Sequence, residues 1–409
     1  MNTIPPLIRI SRLVMRLRPG FAHFFLGFLM IVSISHLGSV HAKPYIPDSD
    51  SLVLEHIPLS GTPQMRQLRA ARLELSRDPQ NLALAVRLAR QLVELGRAEA
   101  DPRYDSYAQA ALRFWWNSSK PPTEVLFIRA LLRQRSHHFD EALKDLTQVL
   151  QNQPHHAQAW LTRSVIYQVR GDYQNARQNC RPLLRLTDSL VTTTCIANVT
   201  SLNGQAEESY KGLLNQLSST SSPDPQKALW ASILLAETAA RLGNSSSAEA
   251  HFQQALSLGL RDTYLLGAYS DWLLDQNRPA DVQALLRDDL HPDGLLLRMA
   301  LAAQQLTNDQ LLPFIVDLTA RFTNSRLRGD TRHLREEARF TLHLLKQPKR
   351  ALQLAQENWK MQREPWDARI LLEAALQSGN PTAAQPVLDW LETVKLEDQQ
   401  IRTLVEQFS

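Results

Sequence analysis

The sequence predicts an all-α protein built from tandem pairs of helices. Helix-forming Leu, Ala, Gln, Arg and Glu dominate the 409 residues, only 14 residues are Gly, and no long stretch alternates apolar and polar residues as a strand would. Small residues recur at a fixed interval, since Ala108, Ala142 and Ala176 lie 34 residues apart. A period of that length is typical of a repeat array rather than of two or three separate domains.

Residues 1–42 have the layout of a secretory signal peptide. The segment is basic at its start and has no acidic residue; its arginines are Arg9, Arg12, Arg16 and Arg18. An apolar run from Phe24 to about Ile34 follows, and small residues at 40–42 suit cleavage. An uncleaved membrane anchor is the alternative, although the run is short for a span of roughly 20 residues. We expect an exported protein, periplasmic in a bacterium or secreted, without a stable membrane span after cleavage.

The charge balance argues against a nucleic-acid partner. The whole chain has 45 basic and 41 acidic side chains, but the leader contains four of the basic ones. The mature chain is therefore balanced at 41 of each sign. A protein that binds nucleic acid needs a basic face, so we expect no nucleic-acid partner.

Several breaks divide the rest of the chain. Residues 43–66 are rich in Pro, Ser and Asp, which predicts an extended lead-in. Residues 218–228 are predicted to form a polar linker, residues 323–331 another loop, and residues 393–407 an amphipathic helix within a C-terminal cap at 392–409. The β-branched run at 190–194 is predicted to be helical because the repeat register needs a helix there.

The clearest repeat begins near Ala157. Trp160 and Tyr167 are seven residues apart and so lie on one helical face. Gly171 then breaks the helix, and Ala176 lets a second helix approach the first closely. The same turn residue recurs at Gly204, Gly243 and Gly379.

These residues resemble tetratricopeptide repeats, whose 34-residue period and W…LG…Y…A…F…P pattern they partly reproduce. The resemblance covers 123–217 and 229–391, with degenerate helical repeats at 67–122. It implies a TPR-like α-solenoid, a right-handed superhelix of helix-turn-helix repeats with first helices on the concave face. The segments 335–340 and 363–369 are also similar to stretches of secreted bacterial repeat proteins of unassigned function.

The repeat register places eleven side chains in the concave groove. We expect the aromatic ones to matter most for binding if they are exposed, whereas the alternative is that each packs between helices. The candidates are Glu124, Phe127, Gln158, Leu161, Trp230, Glu237, Tyr264, Asp271, Trp366, Arg369 and Glu373.

The two cysteines, Cys180 and Cys195, fall on adjacent helices of neighbouring repeats. An oxidising compartment would permit a disulfide between them. The alternative is a pair of buried thiols that act as small apolar side chains.

The sequence predicts neither a metal site nor a cofactor. The pairs at 137–138 and 155–156 are the only conspicuous histidine cluster. They fall in turns at opposite edges of the array, roughly 20 Å apart, so they do not converge on one metal ion. The sequence has no phosphate-binding glycine loop, no HExxH, no GxSxG and no CxxC motif, and no catalytic residue is assigned.

These observations predict a non-catalytic scaffold or adaptor of the bacterial cell envelope that binds a peptide or helix of a partner protein in its groove. The alternative is a ligand-binding protein or enzyme subunit with a pocket inside the superhelix. A deep cavity with converging polar residues would favour this alternative, and a continuous open groove would favour the adaptor.

Overall fold

The structure is a computed structural model that describes residues 62–408. Within that range it has 21 α-helices and no strand, which confirms the predicted all-α fold. Eighteen of the helices form nine consecutive hairpins, numbered 1 to 9 in chain order. The hairpins are Leu82–Ala98 with Arg103–Ala111, Thr123–Arg135 with Phe139–Asn152, Ala157–Val169 with Tyr173–Cys180, Ser189–Thr200 with Ala206–Ser219, Pro225–Arg241 with Ser245–Ser257, Thr263–Asp275 with Pro279–Leu285, Asp293–Gln305 with Leu311–Leu327, Leu334–His343 with Pro348–Trp359, and Pro365–Gln377 with Gln385–Val394.

Three helices stand outside the hairpins: Pro63–Arg77 before hairpin 1, Arg113–Trp116 after it, and Gln399–Val405 after hairpin 9. Short 3₁₀ helices cover Arg181–Arg185, Pro381–Ala384 and Glu406–Phe408. No helix within 62–408 combines the length and the apolar character that crossing a membrane requires.

Every hairpin turns through one residue in the left-handed region of backbone conformation. In most of them the N–H of the following residue donates to the carbonyl five residues earlier, as Asp172 does to Tyr167 at 2.8 Å. This arrangement satisfies carbonyls that a helix end would otherwise leave unpaired. The turn residues are Ala100, His137, Gly171, Gly204, Gly243, Asn277, Thr307, Lys346 and Gly379.

Small residues separate the paired helices, as the repeat pattern predicts. Ala142, Ala176, Ala248, Ala351 and Ala384 are all completely buried. A larger side chain at such a position would force the two backbones apart, because protein interiors are close-packed. The alanines that recur about every 34 residues therefore mark the positions where the two helices of a hairpin contact each other.

The structure corrects three predicted loops. The polar linker predicted at 218–228 is confined to the residues between the helix that ends at Ser219 and the helix that begins at Pro225 after the Asp224 cap. The helix Pro63–Arg77 begins inside the expected lead-in, because the Thr62 side chain accepts the Met65 N–H and Pro63 suits a first helical position. The helix Leu311–Leu327 continues into the expected loop at 323–331, and the buried ring of Phe322 holds it against the core. The predicted signal peptide and most of the lead-in lie outside the described residues.

The predicted C-terminal helix at 393–407 is shorter than expected, since only Gln399–Val405 is α-helical after the break at 395–398. The helix Gln385–Val394 ends at Lys395, which has a φ of 57°, and a new helix starts at Gln399 after the Asp398 cap. Its Ile401 is only 3% exposed and belongs to the largest core cluster. The helix therefore packs its apolar side against the core and leaves polar side chains such as Arg402 and Thr403 exposed.

The β-branched run at 190–194 is helical, as predicted. The Asp188 side chain caps the helix by accepting the Val191 N–H at 3.0 Å. The Thr194 hydroxyl donates to the carbonyl of Leu190 at 2.7 Å, so it bonds within its own helix. The next residue, Cys195, forms a disulfide with Cys180 across a Cα–Cα distance of 5.8 Å.

The array closes on itself through its last residues. Residues 390–408, the C-terminal strap, run along the turns of hairpins 3, 4 and 5. Beside the glycines of these turns lie, in order, Trp390 at Gly171, Lys395 at Gly204 and Gln399 at Gly243. The Glu397 carboxylate also accepts the backbone N–H of Ala206 at 2.6 Å. The core cluster beneath the strap joins 173–202 to 334–401.

A second closure joins the first hairpin to the middle of the array. Arg97 lies 3.2 Å from Asp262, and Arg261 lies 3.9 Å from Glu99. Arg332 also lies 3.7 Å from Asp105. The superhelix is thus closed, and its concave face surrounds a central space.

Candidate binding chamber

The central space is a chamber of about 720 Å³. The first helices of hairpins 5 to 9 supply most of its wall, as expected for the concave face of such an array. The turn at 96–105 and the strap residues Gln400 and Ile401 complete it. The volume falls within the range of about 300–1,000 Å³ that ligand pockets occupy.

The first helix of hairpin 6, Thr263–Asp275, presents one polar face to the chamber. Tyr264, Asp271 and Asp275 are seven and four residues apart, which places them on the same side of the helix. The helix is fixed at its start by Asp262, whose side chain accepts the Leu265 N–H at 3.0 Å. Local sequence thus sets which side chains face inward.

The first helix of hairpin 9, Pro365–Gln377, contributes Trp366 and Arg369 in the same way. Pro365 occupies its first position, and the Asp367 side chain accepts the backbone N–H of Glu364 at 2.8 Å. Trp366 and Arg369 are three residues apart and therefore neighbours on the helix surface. Both line the chamber.

Asp271 holds two arginines in the chamber wall. Its carboxylate accepts from Arg298 at 2.5 Å and from Arg339 at 2.8 Å. Burial alone would raise the pKa of Asp271, but the two guanidinium groups outweigh it and lower that pKa. Asp271 is therefore ionised and fully engaged at neutral pH.

Arg369 is the centre of a second network. It donates to Asp275 at 2.7 and 2.8 Å and to Glu373 at 2.9 Å. His343 lies 3.0 Å from the other oxygen of Glu373. Burial opposes ionisation of Glu373, but the contacts with His343 and Arg369 lower its pKa to about 2.

Arg335 is the centre of a third network. It donates to Glu364 at 2.9 Å and lies 3.5 Å from Asp367. Asp367 is buried, and this burial raises its pKa to about 6 although Arg335 partly offsets the effect. These buried networks fix the wall side chains in place.

Trp366 already has cationic partners within the protein. The guanidinium carbons of Arg339 and Arg369 lie 3.9 and 4.3 Å from the centre of its ring. Both distances are within the range of a cation–π contact.

Tyr264 differs from the buried Phe252 and Trp272, which also line the chamber, because it is 62% exposed. Its hydroxyl donates to the Glu237 carboxylate at 2.8 Å. The surrounding walls remove bulk water from Glu237 and raise its pKa to about 7, although the nearby Arg241 opposes this shift. The Tyr264–Glu237 pair is thus an accessible aromatic ring beside a carboxyl group that titrates near neutrality.

The structure brings five of the eleven predicted groove residues into the chamber: Glu237, Tyr264, Asp271, Trp366 and Arg369. Glu373 lies behind Arg369. Phe127 is instead buried, at 7% exposure, with its ring against His156. Leu161 and Trp230 are partly buried against the largest core cluster, and Glu124 and Gln158 are exposed outside the chamber lining.

The two histidine pairs do not meet. His137 lies in the turn of hairpin 2 at the chamber wall, where burial and the nearby Arg335 lower its pKa to about 4. His156 caps the first helix of hairpin 3 by accepting the Ala159 N–H at 3.2 Å. Within 62–408, no three His, Cys, Asp or Glu side chains are arranged to hold a metal ion.

Sequence reasoning missed Arg298, Arg335, Glu336 and Glu364, which also line the chamber. A signal for Arg298 existed, because it follows Tyr264 by 34 residues, just as Tyr264 follows Trp230. Hairpin 7 has few of the usual repeat residues, so its inward positions were not assigned. An arginine on a helix also resembles an ordinary solvated residue until its partner is known.

No protein-family model and no curated protein matches the chain. Among solved structures, the chain is similar to a tetratricopeptide repeat protein from Parabacteroides merdae, with 15% identity and a TM-score of 0.41 over 58% of this chain and 92% of that one. It is also similar to the TPR domain of P58(IPK), with 15% identity and a TM-score of 0.22 over 79% and 96% of the two chains. Yeast Tom70 shares 11% identity and a TM-score of 0.21 over 84% and 96%. The nine consecutive hairpins between residues 82 and 394 are the tandem helix-pair organisation that the sequence predicts.

Proposed function

We propose that this protein is a non-catalytic binding protein of the bacterial cell envelope, and that its chamber takes a short extended segment of a partner protein. The observation that carries the proposal is Tyr264, a ring that is 62% exposed inside a chamber walled by fixed charged side chains. Aromatic residues in such concave, rigid places often dominate binding energy.

The polar wall favours an extended segment over a helix. A helix satisfies its backbone N–H and carbonyl groups internally, whereas an extended segment offers them to its surroundings. Side chains such as Glu237, Arg335 and Glu364 line the chamber and can bond to such groups.

The leader and the disulfide support an envelope location. Residues 1–42 have the basic start, apolar run and small residues of an export signal. The Cys180–Cys195 disulfide fits an oxidising compartment. Expression of the full chain in a bacterium, followed by fractionation, tests the location: recovery of the shortened chain in the periplasm supports it, and recovery of the uncut chain in the cytoplasm contradicts it.

The binding role is tested with a display library of short random peptides and the mature chain as bait. We expect selected peptides to lose at least tenfold in affinity when Tyr264 is replaced by Ala. Tyr107→Ala is the matched control, since Tyr107 is an exposed tyrosine on hairpin 1 outside the chamber. Equal loss in both variants, or no peptide selected by the wild type, would contradict the proposal.

A second candidate is a small-molecule-binding protein or enzyme subunit. The observation in its favour is Glu237 in the chamber wall, because a carboxyl group whose pKa is about 7 is the kind of group that active sites use. A screen of small molecules by thermal shift distinguishes the two candidates. Stabilisation of the wild type but not of Tyr264→Ala by one compound would favour this second candidate.

A further inference from the structure

We propose that the chamber recognises an arginine side chain of its partner, with the guanidinium group stacked on the Tyr264 ring and bonded to the Glu237 carboxylate. This inference rests on the proposed function, because it names the chemistry of the segment that the chamber takes.

Of the Phe, Tyr and Trp rings that line the chamber, Phe252 and Trp272 are buried, and the first step compares the other two. Trp366 lies beside two guanidinium groups of the protein itself, at 3.9 and 4.3 Å from its centre. Tyr264 lines the same chamber, but among residues 62–408 it has neither a cation nor another ring against it. Trp366 thus has its cation–π partners within the protein, whereas the Tyr264 ring is open to a cation from a ligand.

The second step is the pairing of the carboxylates. Asp271 is held by two arginines and Asp275 by one. Glu237 forms no ion pair with any residue in the range 62–408, and the hydrogen bond that it accepts there comes from the Tyr264 hydroxyl. A carboxylate offers about four acceptor positions, so Glu237 can accept further bonds from a ligand.

The charges that surround the pair favour a cation. Glu237 faces Glu364 and Asp271, with Arg241 on its own helix as the opposing cation. Tyr264 faces Glu237 and Glu364, with Arg335 as the opposing cation. Arg335 is already bonded to Glu364. Among the charged groups that act most strongly on each member of the pair, carboxylates outnumber guanidinium groups, which favours a cationic ligand group.

The geometry favours guanidinium over ammonium. A guanidinium group is planar, stacks on aromatic faces and donates in a fixed fork that matches a carboxylate. A lysine ammonium is a strongly hydrated point charge and loses more hydration on contact with an aromatic ring. An arginine can stack on the ring and reach the carboxylate with the same group.

Ionisation of Glu237 makes the binding depend on pH. Burial raises the pKa of Glu237 to about 7, against the opposing effect of Arg241, so the group is partly protonated at neutral pH. A guanidinium group stays charged throughout the accessible range. Binding requires the ionised carboxylate, and the fraction ionised rises about tenfold between pH 6 and pH 8 for a pKa near 7. We therefore expect affinity to rise by up to about tenfold over that interval.

The test is titration of the mature chain, by calorimetry, with the peptide acetyl-Ala-Arg-Ala-amide. The control peptide replaces arginine with citrulline, which has the same shape and no charge. We expect the arginine peptide to bind at least tenfold more tightly. Glu237→Gln keeps an acceptor for the Tyr264 hydroxyl, and we expect it to remove both the preference for arginine and the dependence on pH.

A second pair of variants tests whether the aromatic ring of Tyr264 itself contributes to binding. Tyr264→Phe keeps the ring, and we expect it to retain most of the affinity, whereas Tyr264→Ala loses it. Equal affinity for arginine and citrulline peptides, or an unchanged preference in Glu237→Gln, would overturn the inference. If library peptides without arginine depend on Tyr264, the proposed function stands and only this inference fails; if no peptide binds, both fail.

Discussion

Glu237 costs the folded protein stability when its carboxyl group is ionised. Its folded-state pKa of about 7 is above the ordinary value of 4.5, so the folded chain holds this proton more tightly than the unfolded chain does. The tighter binding of this proton stabilises the folded chain fully below pH 4.5, and the stabilisation is lost as the pH rises to about 7. A group kept at such a cost is typical of functional sites.

Replacing Glu237 with Gln removes this cost. We expect the variant to gain stability relative to the wild type as the pH rises, with the difference at pH 8 exceeding that at pH 5 by on the order of 1–2 kcal/mol. Urea unfolding of both proteins at the two pH values measures it. A difference that is the same at pH 5 and pH 8 would show that Glu237 has an ordinary pKa.

Arginine is the residue type whose role was hardest to predict. Arg129 is buried and bonded to Asp145 at 2.7 and 2.9 Å, and Arg133 adds a third bond to the same carboxylate at 2.6 Å. These partners are 12 and 16 residues away and on the other helix of hairpin 2. A periodic pattern locates apolar faces, but it does not pair charges that only packing brings together.

At the scale of the element, the hairpin turns are the most uniform feature of the chain. All nine pass through a left-handed residue, but only four of those residues are glycine. Glycine adopts this conformation without strain, whereas residues such as Thr307 and Lys346 adopt it at some cost. The glycine turns were therefore predicted from sequence, and the remaining turns were visible only through the repeat spacing.

Two turn glycines form a matched pair for experiment. Gly171 and Gly379 have φ values of 75° and 70°, so an added side chain strains both backbones similarly. A Cβ at Gly171 would also lie 3.0 Å from Nε1 of Trp390, whereas one at Gly379 meets nothing within 4 Å. We expect Gly379→Ala to cost about 1 kcal/mol and Gly171→Ala about 1–2 kcal/mol more.

Chemical denaturation of the two variants gives the comparison directly. The backbone strain is common to both variants, so the larger loss in Gly171→Ala would come from the added Cβ meeting Trp390 of the strap and Arg363 beside it. Equal losses would mean that the strap does not press on this turn in solution.

At the scale of the whole molecule, closure depends on apolar packing by the strap more than on ion pairs. Ile401 is 3% exposed in the core cluster that joins 173–202 to 334–401. The opposite closure uses Arg97 and Asp262, a pair in which the arginine side chain is 43% exposed. Exposed ion pairs contribute little, because water and salt screen them.

We expect Ile401→Ala to destabilise the protein by about 2–4 kcal/mol and Arg97→Ala by less than about 0.5 kcal/mol. Thermal unfolding ranks the two variants. The reverse order would show that the ion pairs, and not the strap, hold the superhelix closed.

The fold was predictable from sequence, whereas its closure was not. Hairpins follow from residues 34 apart, such as Ala142 and Ala176, because that signal is local. Closure depends on small rotations between repeats that add up over the array. Tyr264 and Trp366 could be placed in the groove because their position within each repeat is a local signal. The contact of strap residues such as Ile401 with that groove depends on the accumulated rotation, so no sequence pattern showed it.

The three contacts along the strap constrain how this protein can change in length. An open solenoid can gain or lose a repeat, because each unit touches only its neighbours. Here Gly171, Gly204 and Gly243 each face a set position on one continuous segment. Inserting or deleting a unit between them would shift every later turn out of phase with the strap, so the number of repeats in this stretch is locked by the tail that spans it.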